Sequence, residues 1–282
     1  MPSPATPVSV IIPTHNRAGF LAQAIDSVLS QTYASFELIV VDDGSSDETQ
    51  ALLASHGKAL VSLRQENRGP AAARNAGIRA ARHPLLAFLD SDDRFARQKL
   101  AIQAAAMEAQ PDLLISHTQE TWFRNGRHLN QKKRHAKEGG DIFARSLARC
   151  VVGMSTVMVR RELFARIGLF DEALPCCEDY DLWLRASVAH PFLLVDVPLT
   201  IKHGGRPDQV SVRFRVGMDR FRIRALEKLL ADAPLTPDQS RLACEELVRK
   251  ATVYGNGCLR HGRNEEGNRC LALASRQPRF PL

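Results

Sequence analysis

The chain has 282 residues, a formal net charge of +7 and a pI near 9.3, with 44% apolar and 24% charged residues. That composition excludes a disordered tail, a collagen-like fibre and a coiled-coil rod, and it leaves room for one large or two small domains. The moderate basicity favours anionic partners without choosing among nucleotide phosphates, lipid headgroups and nucleic acid.

The first half alternates strand and helix patterns. Residues 8–13 form a continuous apolar run, as a strand buried on both faces requires. Residues 18–31 carry Leu21, Ile25, Val28 and Leu29 at helical spacing. Residues 37–41 read as a second buried strand ending in Asp42-Asp43-Gly44-Ser45, and Ser45 with Glu48 has the pattern of a capping box. A short third strand is expected at 60–63, an Ala-rich helix at 69–82 and a fourth strand at 85–89, closed by Asp90-Ser91-Asp92-Asp93. A helix at 96–109 and a strand at 112–123 follow. Repeated βα units imply an α/β fold with a doubly wound, mostly parallel sheet, whose ligands bind at the carboxyl ends of the strands.

The second half is less regular. Residues 124–137 hold six basic side chains and no acid, the pattern of an exposed loop or hairpin. Strands are expected at 155–159 and 192–201, and a helix at 178–189. Beyond residue 202 three helical stretches, 218–231, 237–259 and 264–274, predict a helical extension. No apolar run approaches the ~20 residues of a membrane-spanning helix. The six cysteines show no paired metal spacing, and Met1–Pro7 lacks a signal pattern, so the reading is a cytoplasmic protein with reduced thiols.

Five short constellations carry chemistry. Asp90 and Asp92, one residue apart at a strand end, suit a divalent cation bridging to a diphosphate, although an acidic helix-capping turn has the same residues. Arg94 stands where a DxDx[TV] phosphatase needs Thr or Val, and Phe95 where a calcium loop needs Gly. Asp42 and Asp43 can accept from a base N–H or a ribose hydroxyl, or merely turn the chain. Arg74, one helical turn after Pro70, can reach a phosphate or ribose, or can be solvated. Asp179 in Glu178-Asp179-Tyr180-Asp181 is a candidate general base, with helix-dipole compensation as the bland reading. His203, before two glycines, can close over a metal or be structural. Neither GxGxxG nor a P-loop occurs.

The order of these motifs is more specific than any one of them. Val10-Ile11-Ile12-Pro13-Thr14-His15-Asn16-Arg17, Val41-Asp42-Asp43-Gly44-Ser45, Asn67-Arg68-Gly69 with Ala73-Arg74-Asn75-Ala76-Gly77, Phe88-Leu89-Asp90-Ser91-Asp92-Asp93, Gly168-Leu169-Phe170-Asp171-Glu172 and Glu178-Asp179-Tyr180-Asp181-Leu182-Trp183 resemble the bacterial family 2 glycosyltransferases of GT-A fold. The resemblance spans about residues 7–205 and implies sugar transfer from a nucleotide-diphosphate sugar, a UDP-sugar first, to an acceptor hydroxyl with inversion. By that carry-over Thr14, Asn16, Asp42, Asp43, Arg74 and Asp90 serve the nucleotide. Asp92, Asp90 and, by a looser match, His203 hold Mn2+ or Mg2+, and Asp179 is the base. The implied layout is a GT-A domain at 1–205, with a nucleotide half at 7–123 and an acceptor half at 124–205, and a helical extension at 206–282.

The expected acceptor is a glycan or lipid-linked sugar in cell-surface polysaccharide or lipopolysaccharide assembly. Residues 202–228 carry eight basic and three acidic side chains, with Phe214, Val216, Phe221 and Ile223 as apolar anchors or core, so peripheral contact with an anionic inner leaflet is also expected. Nucleic acid is not an expected partner, since three Tyr and two Trp offer little base stacking. The alternative is a binding module for nucleotide-sugar, glycan or lipid carrier without turnover.

Overall fold

The computed structural model describes residues 5–206 and 208–276. In chain order it has β1 (Val8–Thr14), α1 (Ala18–Leu29), β2 (Phe36–Asp43), α2 (Thr49–Ser55), β3 (Val61–Gln65), α3 (Pro70–Ala80), β4 (Leu85–Phe88), β5 (Arg94–Phe95) and α4 (Lys99–Ala109). These are followed by β6 (Ile115–Arg124), β7 (Arg127–Leu129), α5 (Phe143–Ala148), β8 (Val157–Arg160), α6 (Glu162–Ile167), α7 (Glu178–Ser187) and β9 (Phe192–Gly204). Four helices close the described chain: α8 (Val210–Arg213), α9 (Met218–Asp232), α10 (Pro237–Arg260) and α11 (Asn264–Arg276).

The strands form one sheet in the order β3-β2-β1-β4-β8-β6-β9-β5, with β7 paired to β6. From β3 to β4 every pairing is parallel. The chain moves outward from β1 through β2 to β3 and returns to β4 on the other side of β1. That reversal opens a crevice beyond the carboxyl ends of β1 and β4, where doubly wound sheets take their ligands. Past β4 the sheet is mixed: β8 is antiparallel to both β4 and β6, while β6 and β9 are parallel.

The continuous apolar runs are explained by two cores, one per face. Ile11, Ile39, Val41, Leu86 and Phe88 face α3, α6 and α7. Val8, Val10, Ile12, Leu38, Val40, Leu85 and Ala87 face α1 and α4, where Leu21, Ala24, Ile25 and Val28 form the helical stripe. Gly77 of α3 is needed for close approach to β1, because a Cβ there would lie 2.4 Å from Cγ2 of Ile11. A third core joins Phe143 and Leu147 of α5 and Tyr180 and Leu184 of α7 to Phe221, Ile223 and Leu226 of α9 and Leu247 and Ala251 of α10. α10 begins with a full capping box between Thr236 and Gln239, and its buried Lys250 donates to the Ala148 carbonyl at 2.9 Å.

Some local expectations give way to tertiary contacts. Ser45 and Glu48 form no capping box. The Ser45 hydroxyl instead accepts from the Asn16 amide at 2.9 Å, and Asp47 accepts from the amides of Ala18 and Thr49 at 3.1 Å each. The basic 124–137 stretch contains the expected hairpin strand, but Lys137 is buried and pairs with Glu120 at 3.4 Å. Phe221 and Ile223 are core residues and Phe214 packs edge-on against Phe221, which leaves Val216 as the exposed apolar residue of that group.

Candidate functional site

A cleft of about 770 Å³ opens at the carboxyl edge of β1, β2 and β4 and is closed on the far side by the first turn of α7 and by residues from β9 onward. It gathers Thr14, Asn16, Asp43, Arg74, Asp90, Asp92 and Asp179 of the predicted residues. Asp42 and His203 are not in its lining.

Each position follows from local structure. Thr14 ends β1, and its hydroxyl is buried without a hydrogen-bond partner among the described residues. Asn16 adopts a left-handed conformation (φ 51°), and its side-chain oxygen accepts from the Ser46 amide at 2.7 Å, tying the β1 and β2 loops together. Alternation along β2 separates the two aspartates. Asp42 is fully buried, accepts from the Ser45 amide and from Gln50, and lies 3.8 Å from Arg64, so its carboxylate is spent inside the turn. Asp43 faces the cleft and accepts from the amides of Arg68 (3.0 Å) and Gly69 (2.8 Å) and from Gln65 (2.7 Å). Gly44 between them has φ +76° and approaches the Asn67 amide, space that a side chain would fill.

Arg74 is the hub. Only 6% of its side chain is exposed, and it donates to Asp90 at 2.8 Å and to Glu178 at 2.5 Å, joining the end of β4 to the start of α7. Burial alone would raise the Asp90 pKa, but Arg74, with Lys202, holds it below the usual range. Glu178 goes the other way: burial, reinforced by neighbouring Asp179, raises it despite Arg74. Asp93 is pushed up to about 8 by burial and by Asp92 and Asp90, against Lys202. Asp179 receives the Tyr180 amide at 2.7 Å on one oxygen and the Cys150 thiol at 3.4 Å on the other.

Asp92, the first candidate metal ligand, is already neutralised. Arg17 lies 3.2 Å away, Arg206 is in close contact and Gln209 donates at 3.3 Å. His203 directs Nε2 at Arg94 (2.8 Å) and stacks on Phe123, and burial followed by Arg94 lowers its pKa. Asp92 opposes that lowering, and the His203 amide donates to Asp93 at 3.2 Å. Among the described residues no group of three His, Cys, Asp or Glu side chains is arranged to hold a metal. The donor set is nonetheless of the right chemistry: Asp92 offers hard oxygens, and Asp90 leaves Oδ2 without a hydrogen bond among the described residues. Asp92 and Asp90 are the residues that would hold such an ion, while the His203 ring is engaged by Arg94 and Phe123.

Sequence reasoning missed Glu178 as the partner of Arg74, 104 residues away, and Arg17, Cys150, Lys202 and Arg206 as neighbours of the acidic groups. Lys202 lines the cleft, and although burial opposes its charge, Glu120 and the three aspartates of the β4 end raise its pKa. Arg17 and Glu178 lie within motifs named above; Cys150, Lys202 and Arg206 carry no local signal that ties them to the acidic groups. No helix among the described residues is long and apolar enough to cross a membrane.

Comparison with known proteins agrees with this architecture. Residues 9–168 match the family model described as glycosyl transferase family 2. A glycosyltransferase of Rickettsia felis is 37% identical over 190 residues, which is 64% of this chain and 30% of that protein. The chain thus spans about a third of the length of that relative. WfgD of Escherichia coli, named as a UDP-Glc:α-D-GlcNAc-diphosphoundecaprenol β-1,3-glucosyltransferase, is 31% identical over 63% of this chain and 68% of its own length. Staphylococcus aureus TarS 1–349 with UDP-GlcNAc superposes with a TM-score of 0.74 at 20% identity, covering 95% of this chain and 79% of that one. A Pyrobaculum calidifontis mannosyltransferase with GDP-Man and Mn2+ gives 0.65 at 19% identity, covering 99% and 78%.

Proposed function

The chain belongs to glycosyl transferase family 2, and from that premise we propose that it transfers a sugar from a UDP-sugar to an acceptor hydroxyl with inversion at the anomeric carbon. The observation that carries this reading is the placement of Thr14, Asp43 and Asp90 at three adjacent strand ends facing Asp179 across one cleft. The strand ends suit a nucleotide: the Thr14 hydroxyl is uncommitted, and the Asp43 carboxylate is fixed by two backbone amides before any ligand arrives. Arg74 holds Asp90 at the diphosphate end.

The chemistry is one displacement. The acceptor oxygen forms a bond to the anomeric carbon while the bond to the leaving diphosphate breaks on the opposite face, and the hydroxyl proton passes to Asp179. General-base help of this kind contributes roughly 100- to 10,000-fold. The carboxylates of the cleft outnumber its cations, and Arg17 and Arg74 are already paired, so a diphosphate needs imported positive charge. Mn2+ or Mg2+ on Asp92, with Asp90 beside it, would supply that charge as a Lewis acid. The name of WfgD supports a UDP donor, and that of TuaG, a Bacillus subtilis protein named for teichuronic acid biosynthesis, supports a setting in cell-surface polysaccharide assembly. Exposed Arg215, Val216, Arg220 and Arg224 support peripheral contact with an anionic membrane on the cytoplasmic side.

Calorimetry with UDP, GDP and dTDP, each with Mn2+ and with EDTA, tests the donor and the metal. Asp179→Asn is expected to bind UDP as the wild type does and to lose transfer by about 100-fold or more. Unchanged transfer in that variant removes Asp179 as the base. Tight binding with no turnover in the wild type would favour a binding module.

A further inference from the structure

The cleft has a second charged end, contributed by α8 and α9 outside the family match. Val210, Arg213, Met218 and Arg222 line the same cleft as Asp179. Arg222 sits over the ring of Tyr180, the residue after Asp179, at 6.0 Å. It donates to Asp219 at 3.0 Å, and its Nε is buried without a hydrogen-bond partner among the described residues. Arg213 is exposed, and among the described residues its side chain makes no hydrogen bond or ion pair. Elsewhere in this basic segment Arg206 and Lys228 each pair with two carboxylates and Lys202 lies against the acidic cluster. The positive charge left over in the segment is thus partly directed into the cleft, next to the proposed base.

We propose that Arg213 and Arg222 bind a phosphate group of the acceptor, so that the acceptor class is a glycosyl phosphate or diphosphate whose free hydroxyl meets Asp179. The inference rests on the transferase reading above and specifies its second substrate. Guanidinium forks match phosphate oxygens in geometry as well as charge, and two of them suit a dianion better than a single carboxylate. Val210 and Met218 give the same end an apolar strip for a sugar face or an alkyl chain.

The test uses the full chain preloaded with UDP and Mn2+. The probes are the undecyl diphosphates of glucose, galactose, N-acetylglucosamine and N-acetylgalactosamine, the matching undecyl glycosides, and the matching sugar 1-phosphates. At least one diphosphate is expected to bind about tenfold tighter than its glycoside, and Arg213→Gln and Arg222→Gln should each remove most of that difference. Arg213→Gln is decisive if Arg222→Gln disturbs α9, because Arg213 supports nothing else. Binding of the sugar 1-phosphates identifies phosphate alone as sufficient; binding of the diphosphates only identifies a lipid-linked acceptor. Equal affinity for diphosphates and glycosides, binding of neither, or a preference that survives both substitutions overturns the proposal. Absence of UDP binding in the wild type is a separate result that removes the donor reading as well.

Discussion

Replacing Arg74 by Met keeps the aliphatic stem and removes the charge that two carboxylates share. Glu178 is 8% exposed and Asp90 30%, so water cannot substitute equally for the two lost hydrogen bonds. Breaking a buried ion pair from one side costs about 3–5 kcal/mol. Two features cap the loss: Asp90 can hydrate, and Glu178, whose pKa burial already raises, can take up a proton. The expected loss is therefore near the lower figure, about 3 kcal/mol, or roughly 5–10 °C in melting temperature for a chain of this size. The sign of its pH dependence is fixed as well. With Arg74 gone the folded-state pKa of Glu178 rises further, so stability is retained below the unfolded-state value and lost as pH climbs through the folded one. Arg74→Met should then be closer to wild type at pH 5 than at pH 8 in urea titrations. Adding Glu178→Gln removes the stranded charge and should recover at least about 1 kcal/mol. A single-variant loss under about 1 kcal/mol, or a double variant no more stable than the single, would refute the view that Arg74 is held chiefly by its two carboxylates.

Two further outcomes follow from positions away from the cleft. Burial, aided by Lys137 and opposed by Glu120, pushes His117 down to about 3, and the neutral ring meets the Glu138 carbonyl at 2.8 Å. Its contribution is complete above the unfolded-state pKa near 6.5 and is lost as pH falls toward 3, with a slope up to about 1.4 kcal/mol per pH unit. His117→Gln should flatten the acid limb of the stability curve, and an unaltered slope between pH 6 and 4 would count against the buried neutral ring. Gly77→Ala drives a methyl group against Ile11. A net loss of about 1–2 kcal/mol is expected after the gain in helix propensity, read as a lower urea midpoint, and an unchanged or higher midpoint contradicts the close α3–β1 packing.

What was legible in the sequence was local. Two-sided apolar runs marked β1, β2 and β4, and the polar residues just after them had to emerge at one sheet edge, which is why Thr14, Asp43 and Asp90 meet. The period-2 alternation of β2 also contained the separation of Asp42 from Asp43, although two adjacent aspartates read alike until one is seen buried. Contacts over long sequence distances were not legible. The bond from Arg74 to Glu178 and the clamp of Arg17 and Arg206 on Asp92 depend on how the sheet halves and the segment after β9 are brought together. The direction of the His203 ring was not legible either: it meets Arg94 at 2.8 Å and stacks on Phe123. Short elements such as β5, α6 and α8 have too few residues for a period to show.

α7 is wedged between two cores: Leu182, Trp183 and Ala186 belong to the sheet side, and Tyr180 and Leu184 to the side built with α9 and α10. The C-terminal helices are accordingly half of the bed on which Asp179 rests. A protein cut after β9 would expose one flank of that helix, and grafting these helices onto another catalytic core would have to reproduce its contours. Heat or denaturant should dissolve sheet and extension in a single step, because neither can let go of α7 alone. Changes in α9 or α10 can reach Asp179 through the tilt of one ten-residue helix.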